Sequence, residues 1–277
     1  MIFYSDRNKN LSAGFREAVI NGLAEDGGLF VPEIIPHLPT ELFSNLNNMD
    51  IKEIAFKVLS EYTGDEIPES NLRDIIQETF TFPIPLIEIN DEISVLEITH
   101  GPTLAFKDIG ARFLANTMSY FVRGKGKQVN ILVATSGDTG SAVANGFYGI
   151  EGINVFLLYP SGKVSRLQEM QLTTLDKNIT AFEVEGTFDD CQALVKKAFT
   201  DKTLYERITL SSANSINIAR LLPQSIYYFE GFKQLKNKDK SVFCVPSGNL
   251  GNLTAGLIAK RMGLPIDKFI AATNSNK

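Results

Sequence analysis

The chain has 277 residues, of which 44% are hydrophobic and 21% charged, so it can bury one large core or two ordinary ones. Its formal net charge of -5 and its pI near 5.2 come without a face dense in Lys and Arg, which argues against a nucleic-acid partner. The amino terminus is polar, unlike a signal peptide, and apolar runs such as residues 155–159 are too short to cross a bilayer. We therefore expect a cytoplasmic protein that needs no membrane.

The first ninety residues are helix-rich and interrupted by prolines, which stand at Pro32, Pro36, Pro39, Pro68, Pro83 and Pro85. This pattern favours a leading segment that packs against a larger body. A predicted strand over residues 93–98 follows, and then a predicted helix over residues 109–122.

From residue 129 onward, short β-rich runs alternate with helical patterns. The predicted strands cover 129–134, 153–158, 179–184, 241–245 and 268–273, and the predicted helices cover 165–175, 189–199, 216–235 and 250–262. Such alternation is typical of an α/β fold with parallel sheets covered by helices. An α/β sheet rarely stops just after a strand, so the end of the sequence favours a cut inside a longer protein.

We expect two α/β domains with the site between them, because ligands collect outside the carboxyl ends of parallel strands. Residues 1–99 would form the N-terminal segment and the first part of a larger domain. Residues 100–211 would form a smaller α/β domain, and residues 212–277 an incomplete return to the larger one.

The cysteines and histidines predict neither a disulfide nor a metal site. Cys191 and Cys244 are far apart and lie in apolar segments, so two buried free thiols are expected. His37 and His100 are isolated, and no cluster of Cys, His, Asp and Glu has the spacing of metal ligands. We expect no metal.

The first candidate site surrounds Lys107, which stands between Phe106 and Asp108 in a mostly apolar sequence at the predicted start of a helix. Burial penalises the charged form of a lysine, and the positive end of a helix dipole acts in the same direction. The neutral amine that results can form a Schiff base with an aldehyde and later take up a proton. A lysine that opens a helix and keeps its ammonium in water explains the same residues.

The segment ATSGDTGSAVANGF, residues 134–147, directly follows a predicted buried strand. Its small and hydroxyl residues would leave backbone N–H groups uncovered at a helix start, where a carboxylate or phosphate can bind. It is neither a dinucleotide-binding GxGxxG motif nor a P-loop. A plain strand-to-helix turn, capped by Ser136 or Asp138, is the alternative.

The segment VPSGNLGNLTAG, residues 245–256, repeats this design after another predicted strand. Gly248 and Gly251 permit tight turns, while Asn249, Asn252 and the backbone amides can cradle a phosphate. Neither loop offers the lysine of a nucleoside-triphosphate site, and no acidic residue stands where a Rossmann site holds a ribose.

A fourth segment, SSANSINIARLL, places polar groups at a predicted helix start: Asn214, Ser215, Asn217 and Arg220. Converging polar groups and one guanidinium can hold a substrate phosphate. A capped helix with a surface arginine explains the segment equally well. Lys163 and Arg166 are similar but weaker candidates.

Four motifs, THGPTLAFKD, ATSGDTGSAVANGF, SSANSINIARLL and PSGNLGNLTAG, occur in an order and spacing that resemble the threonine synthase family. The leading segment YSDRNKNLSAGFREAVINGLAEDGGLFVP is similar to the amino-terminal segment of that family, so the likeness covers essentially the whole chain. The family belongs to the tryptophan-synthase-β type of pyridoxal-phosphate enzymes, fold type II. Its bacterial members run well past this length, which agrees with a truncated chain.

The resemblance implies roles for the matching residues. Lys107 matches the lysine that carries pyridoxal 5'-phosphate as a Schiff base, and Asp138 stands where it would face the ring hydroxyl of the cofactor. The residues that match the cofactor-phosphate loop are Gly248, Asn249, Leu250, Gly251 and Asn252. Those that match substrate-binding positions are Ser136, Gly137, Thr139, Gly140, Asn214, Ser215, Asn217 and Arg220, with Lys163 added as a weaker candidate.

The implied reaction converts O-phospho-L-homoserine and water to L-threonine and phosphate, the last step of threonine biosynthesis. Lys107, freed by the substrate, would remove the α-proton while the pyridine ring takes up the electrons. A second proton would then leave Cβ, phosphate would leave Cγ, water would add at Cβ, and the Lys107 amine would return protons to the product. In this type of enzyme a late Ser or Thr hydroxyl meets the pyridine nitrogen, and we expect that residue beyond Lys277. We expect a monomer or a homodimer.

Two other readings stay open. One is another enzyme of the same type, such as a serine/threonine dehydratase or a tryptophan synthase β chain. The first ninety residues and the motif HGPTLAFKD favour threonine synthase over these enzymes. The other is an inactive chain, truncated or degenerate, that keeps the fold or binds the phosphate group without turnover. Retention of Lys107 and of both loops argues against a degenerate family member.

Overall fold

The computed structural model describes residues 1–124, 126, 128–213, 217–246 and 248–275. Its α-helices are α1 Phe15–Asn21, α2 Thr40–Asn45, α3 Ile51–Thr63, α4 Glu69–Thr79, α5 Lys107–Val122, α6 Asp138–Phe147, α7 Arg166–Thr173, α8 Phe188–Thr200, α9 Lys202–Arg207, α10 Ile218–Leu221, α11 Ser225–Gln234 and α12 Gly251–Arg261. Its strands are β1 Phe3–Ser5, β2 Ser12–Ala13, β3 Phe30–Pro32, β4 Leu86–Glu88, β5 Ser94–Leu96, β6 Val129–Ala134, β7 Ile153–Pro160, β8 Ile179–Val184, β9 Thr209–Ser211, β10 Val242–Pro246 and β11 Lys268–Ala272.

The largest sheet has four parallel strands in the order β8-β7-β6-β9. One of its two inner strands, β6, is buried along nearly all of its length, because helices cover the sheet, with α8 against β6 and β7. Strands β10 and β11 form a separate parallel pair. The predicted α/β class with parallel, helix-covered sheets is confirmed, and β6 and β8 have the predicted bounds.

The leading segment packs against this α/β body through aromatic side chains. The ring centroid of Phe15 on α1 lies 5.9 Å from that of Phe3 and 6.3 Å from that of Phe121 on α5. All three residues belong to one continuous hydrophobic core that also includes residues of the four-stranded sheet and of α10 to α12. The domain boundaries near residues 99 and 211 remain a prediction.

Several short elements differ from the sequence-based predictions. The leading segment contains an antiparallel sheet in the order β2-β1-β3, and β5 pairs with β4 in an antiparallel hairpin; neither pairing was predicted. The helix expected over residues 216–235 is broken into α10, a short 3-10 turn over Leu222–Gln224 and α11. Pro223 lies in that turn, where its ring cannot continue an α-helix.

The prediction of two buried thiols is right for Cys191 and wrong for Cys244, which is exposed. The reason is local: Cys244 lies on β10, whose only described pairing partner is β11, and its cross-strand partner Ile270 is itself 51% exposed. None of the helices formed by the described residues combines the length and apolar character that a membrane span needs. The same part of the chain holds no group of three His, Cys, Asp or Glu that could bind a metal.

Candidate active site

The turn before Lys107 is built around a buried carboxylate. Asp108, the second residue of α5, is 2% exposed and accepts hydrogen bonds from the Thr103 amide at 3.0 Å and the Thr103 hydroxyl at 2.5 Å. A Cβ at Gly101 would overlap the Asp108 side chain, so glycine allows the close approach. The turn is therefore fixed by the residue that follows Lys107.

A second contact holds the same turn from the other side. The hydroxyl of Tyr227 on α11 donates to the carbonyl oxygen of Phe106 at 2.6 Å. Burial, with a smaller effect from the Asp108 charge, raises the pKa of Tyr227, so its hydroxyl keeps the proton that it donates. In the same turn Leu104 adopts a left-handed conformation with φ of 58° although it is not glycine. Strained residues of this kind cluster at functional sites.

The Lys107 amine lies in a largely buried position beside one carboxylate. Its side chain is 23% exposed, and Nζ lies 3.6 Å from Oδ2 of Asp138, the first residue of α6. Burial lowers the pKa of Lys107, and the Arg220 charge adds to this, while Asp138 opposes both. The predicted direction of the shift, towards a neutral amine, is confirmed.

The loop between β6 and α6 is organised by Thr135, which is 1% exposed. Its hydroxyl oxygen accepts from the amides of Gly137 at 3.0 Å and Gly140 at 2.9 Å, and the hydroxyl donates to the Gly137 carbonyl at 3.0 Å. The expectation of uncovered amides is therefore corrected for these two glycines. Among the described hydrogen bonds, no acceptor is recorded for the amides of Asp138 and Thr139, which remain at the start of α6.

Ser136 is exposed and does not cap the helix, because the cap position belongs to Gly137 and carries no side-chain bond. A Cβ at Gly137 would overlap the carboxamide of Gln168, which comes from α7. Gln168 donates from Nε2 to Oδ1 of Asp138 at 2.6 Å. Sequence reasoning missed this residue, since nothing in its local pattern separates it from an ordinary helical glutamine.

The loop over residues 248–252 leads into α12. No heavy atom of the described residues lies within 4 Å of a Cβ built on Gly248, and its neighbours Asn249 and Leu250 are exposed. Leu250 caps α12 in a left-handed conformation with φ of 55°. The side chain of Asn252 points inward instead, where its Oδ1 accepts from the Tyr228 hydroxyl at 2.7 Å. At this position only the backbone amide is left for a ligand, not the side chain.

In the fourth motif, Asn214 and Ser215 lie outside the described residues. The side chain of Asn217 is fully buried: Oδ1 accepts from the Ala219 amide, and Nδ2 donates to the carbonyls of Val19 and Ser212. Because both donors and the acceptor are in use, Asn217 is a helix cap, and its expected role in substrate binding is corrected.

Arg220 is not the surface arginine of the alternative reading, since it is 1% exposed. Its Nη1 donates to the Ala213 carbonyl at 2.6 Å, whereas its buried Nε has no hydrogen-bond partner among the described residues. Burial lowers the pKa of Arg220 to about 10. No ion pair of Arg220 with a described carboxylate is recorded, so it is a buried cation that an anion would stabilise.

Gln224 connects Arg220 to the start of α12. Its Nε2 donates to the Arg220 carbonyl at 2.8 Å, and its Oε1 accepts from Nδ2 of Asn252 at 3.4 Å. On the other side, a Cβ at Gly110, one turn after Lys107, would lie 2.7 Å from the Arg220 carbonyl oxygen. The structure thus links the helix of Lys107 to the helix that follows the second loop.

Lys163 is not part of this arrangement. It is exposed, and its charge acts on Asp190, whose pKa is lowered by the Thr187 amide and hydroxyl and, more weakly, by Lys163. No contact between Lys163 and Lys107 or Asp138 is recorded among the described residues, so its assignment to the substrate site has no support from the geometry.

Residues 80–276 match the family model described as pyridoxal-phosphate dependent enzyme. The chain belongs to the pyridoxal-phosphate dependent enzyme family. Residues 2–80 match a second model, described as threonine synthase N terminus. Together the two matches account for the leading segment and for the α/β body of this family member.

The relatives are consistent with the family assignment. Threonine synthases of Haemophilus influenzae and Escherichia coli are 50% and 46% identical over the whole chain, which spans 64% of their length. The solved structure of the Escherichia coli enzyme matches with a TM-score of 0.93. The match covers all of this chain and 65% of the Escherichia coli chain. A structure described as PLP-bound threonine synthase from Brucella melitensis has a TM-score of 0.92 at 41% identity, with 61% of that chain covered.

Proposed function

We propose that the protein is a threonine synthase that converts O-phospho-L-homoserine and water to L-threonine and phosphate. The observation that carries this proposal is the likeness to threonine synthases at 46–50% identity along the whole chain. The leading segment adds specificity, because residues 2–80 match a model for the threonine synthase N terminus. If the chain were a dehydratase or a tryptophan synthase β chain, this match of residues 2–80 would have no explanation.

Two features of the structure fit pyridoxal phosphate, the cofactor of the family. The amine of Lys107 is mostly buried and shifted towards its neutral form, as attack on an aldehyde requires. Gly248 opens onto space where a Cβ would meet no described atom, so the glycine leaves room for a group other than the protein. We assign the cofactor aldehyde to Lys107 and the cofactor phosphate to the backbone amides of Gly248–Asn252.

When bound, pyridoxal phosphate supplies an electron sink that stabilises negative charge on the substrate α-carbon. Lys107 then acts as the base and acid at that carbon, because burial lowers its pKa and so favours the neutral amine that takes up a proton and later returns it. Asp138 lies 3.6 Å from that amine, so it stabilises the ammonium each time a proton is held there. The role of Asp138 towards the ring hydroxyl remains part of the proposal.

Two anionic groups of the substrate need partners. We assign the α-carboxylate to the start of α6, where the amides of Asp138 and Thr139 have no recorded acceptor and the exposed hydroxyl of Ser136 lies alongside in sequence. We assign the substrate phosphate to the region of Arg220, whose buried Nε has no partner among the described residues. Asn214 and Ser215 belong to the same proposal on the strength of the sequence alone.

The proposal extends to location and assembly. We propose a cytoplasmic location, since the proposed substrate is a small, diffusible metabolite. We propose a monomer or a homodimer, with no nucleic-acid partner, in keeping with the acidic composition.

The test uses the complete reading frame that contains these residues. O-phospho-L-homoserine and L-threonine are supplied separately, and the release of phosphate and of ammonia is measured. A threonine synthase releases phosphate from the first and leaves the second unchanged, whereas a dehydratase releases ammonia from L-threonine. Lys107→Ala is the control, and it should abolish the phosphate signal. Phosphate release that persists in Lys107→Ala would remove this lysine from the mechanism.

A further inference from the structure

We propose that Gln168 is a positioning residue that fixes the Asp138 carboxylate beside the Lys107 amine and keeps the two from closing into a direct hydrogen bond. The inference rests on the proposed function, because it concerns the lysine assigned to the cofactor. It adds a residue on α7, thirty positions after Asp138, to the groups that set the reactivity of that lysine.

The Asp138 carboxylate is divided between two partners. Its Oδ1 accepts from Nε2 of Gln168 at 2.6 Å, and its Oδ2 faces Nζ of Lys107 at 3.6 Å. The first distance is that of a strong hydrogen bond to a charged acceptor, and the second lies beyond a direct hydrogen bond. The carboxylate thus acts on the amine mainly through its charge, while its geometry is set by Gln168.

The orientation of the Gln168 carboxamide follows from its partners. A carboxylate can only accept, so the atom that faces Asp138 is the amide nitrogen. The opposite atom, Oε1, accepts from the hydroxyl of Ser165 at 3.1 Å. The oxygen of the same hydroxyl accepts from the backbone N–H of Gln168 and so caps α7. Ser165 therefore fixes both the start of α7 and the carboxamide that reaches Asp138.

Glycines of the first loop make room for this arrangement. Gln168 and Leu172 are four residues apart on α7 and so share one helix face. Gln168 faces Gly137, where a Cβ would overlap its carboxamide. Leu172 faces Gly140, where a Cβ would lie 2.8 Å from Cδ2 of Leu172. Leu172 is 1% exposed, so the contact is tightly packed. Gln168 is held in place by this helix packing as well as by its own hydrogen bonds.

Among the described residues, the charged groups that act on the Lys107 amine are Asp138 from α6 and Arg220 from α10. Without the Gln168 donor, the Asp138 carboxylate loses a hydrogen bond and gains freedom to rotate towards the ammonium, which stabilises the charged form. A carboxylate at position 168 adds a negative charge next to Asp138 and has the same effect more strongly. Both changes should raise the pKa of Lys107 and leave less neutral amine.

The test is the reactivity of Lys107 in the complete protein freed of cofactor. Reductive methylation with formaldehyde and cyanoborohydride is followed against pH by peptide mass spectrometry. Gln168→Glu should lower the Lys107 methylation rate at pH 8 by roughly three- to tenfold, and Gln168→Met by a smaller factor in the same direction. Gln171→Glu makes the same chemical change one turn along α7, with no recorded contact to Asp138, and should leave the rate unchanged.

The outcomes separate this inference from the proposed function. A shift of the Lys107 pH profile in Gln168→Glu and Gln168→Met, absent in Gln171→Glu, supports the positioning role whether or not Lys107 carries the cofactor. Unshifted profiles in both Gln168 variants, even with lower thermal stability, would reduce Gln168 to a packing residue and overturn the inference. A profile that moves equally in Gln171→Glu would also overturn it, because the effect would then be one of general charge.

Discussion

Gly248→Ala separates a role in ligand binding from a role in folding. The backbone of Gly248 does not adopt a left-handed conformation, and no described heavy atom lies within 4 Å of the added Cβ. Alanine therefore fits the structure without strain. If the amides of this loop hold the cofactor phosphate, however, the new methyl group points into space that the ligand needs.

The two effects have opposite signs. Replacing an unstrained glycine restricts the unfolded chain, so the free energy of unfolding without cofactor should rise by about 0.4–1 kcal/mol. Loss of one hydrogen bond to a charged phosphate costs about 1.5–3 kcal/mol, which corresponds to roughly 10- to 150-fold weaker binding of pyridoxal phosphate. A more stable protein with a weaker cofactor site is the expected signature.

Urea unfolding of the cofactor-free protein measures the first quantity, and titration with pyridoxal phosphate followed by visible absorbance measures the second. Gly124→Ala is the control, because Gly124 also has no described atom within 4 Å but has φ of +73° and follows the end of α5. That variant should lose about 1–2 kcal/mol of stability and keep its cofactor affinity. Unchanged affinity in Gly248→Ala would refute the assignment of this loop to the phosphate.

Three further predictions follow from individual contacts. Thr135→Val removes a buried hydroxyl that holds the loop at Gly137 and should lower the free energy of unfolding by about 2–3 kcal/mol in urea, whereas Thr135→Ser should lose less than about 1 kcal/mol. Tyr227→Phe leaves the Phe106 carbonyl without its donor and should cost about 1–2 kcal/mol in the same assay; an unchanged midpoint would show that the bond contributes nothing. Lys107→Met should be more stable than the parent at neutral pH, because folding lowers the Lys107 pKa and so disfavours its charged form. At pH values between the lowered pKa of Lys107 in the folded protein and its ordinary pKa, the unfolded parent binds more protons than the folded parent. The stability of the parent therefore rises with pH in this range, and the stability advantage of Lys107→Met becomes smaller. An advantage that stays constant or grows with pH would contradict the lowered pKa.

Long, strongly patterned elements of the fold could be read from the sequence. Strands β6 and β8 have the predicted bounds because their β-branched and apolar runs need no distant partner to be recognised. The three-residue strands β1, β3 and β9 carry too little periodicity, and their identity depends on pairing partners far along the chain. The exposure of Cys244 likewise depends on which strands surround β10, which local sequence does not record.

In the candidate active site, too, some features are visible in the local sequence and others depend on partners far along the chain. The sequence singled out Lys107 but left two readings open, a buried neutral amine or an ammonium in water, and the burial of the side chain in the structure favours the first. Thr135 and Gln168 were missed, since a threonine at a strand end and a glutamine on a helix become informative only when their partners are known. Asn217 shows the reverse error: a polar residue at a helix start looked like a ligand group, and its donors are bonded to the protein backbone.

The most direct test of the account is the position at which the cofactor becomes attached. The complete protein is incubated with pyridoxal phosphate, reduced with borohydride, digested and mapped by mass spectrometry. We expect the phosphopyridoxyl label on Lys107, in the peptide that begins α5, and no label on that peptide in Lys107→Ala. A label on another lysine, or an unlabelled Lys107 in a protein that binds the cofactor, would contradict it.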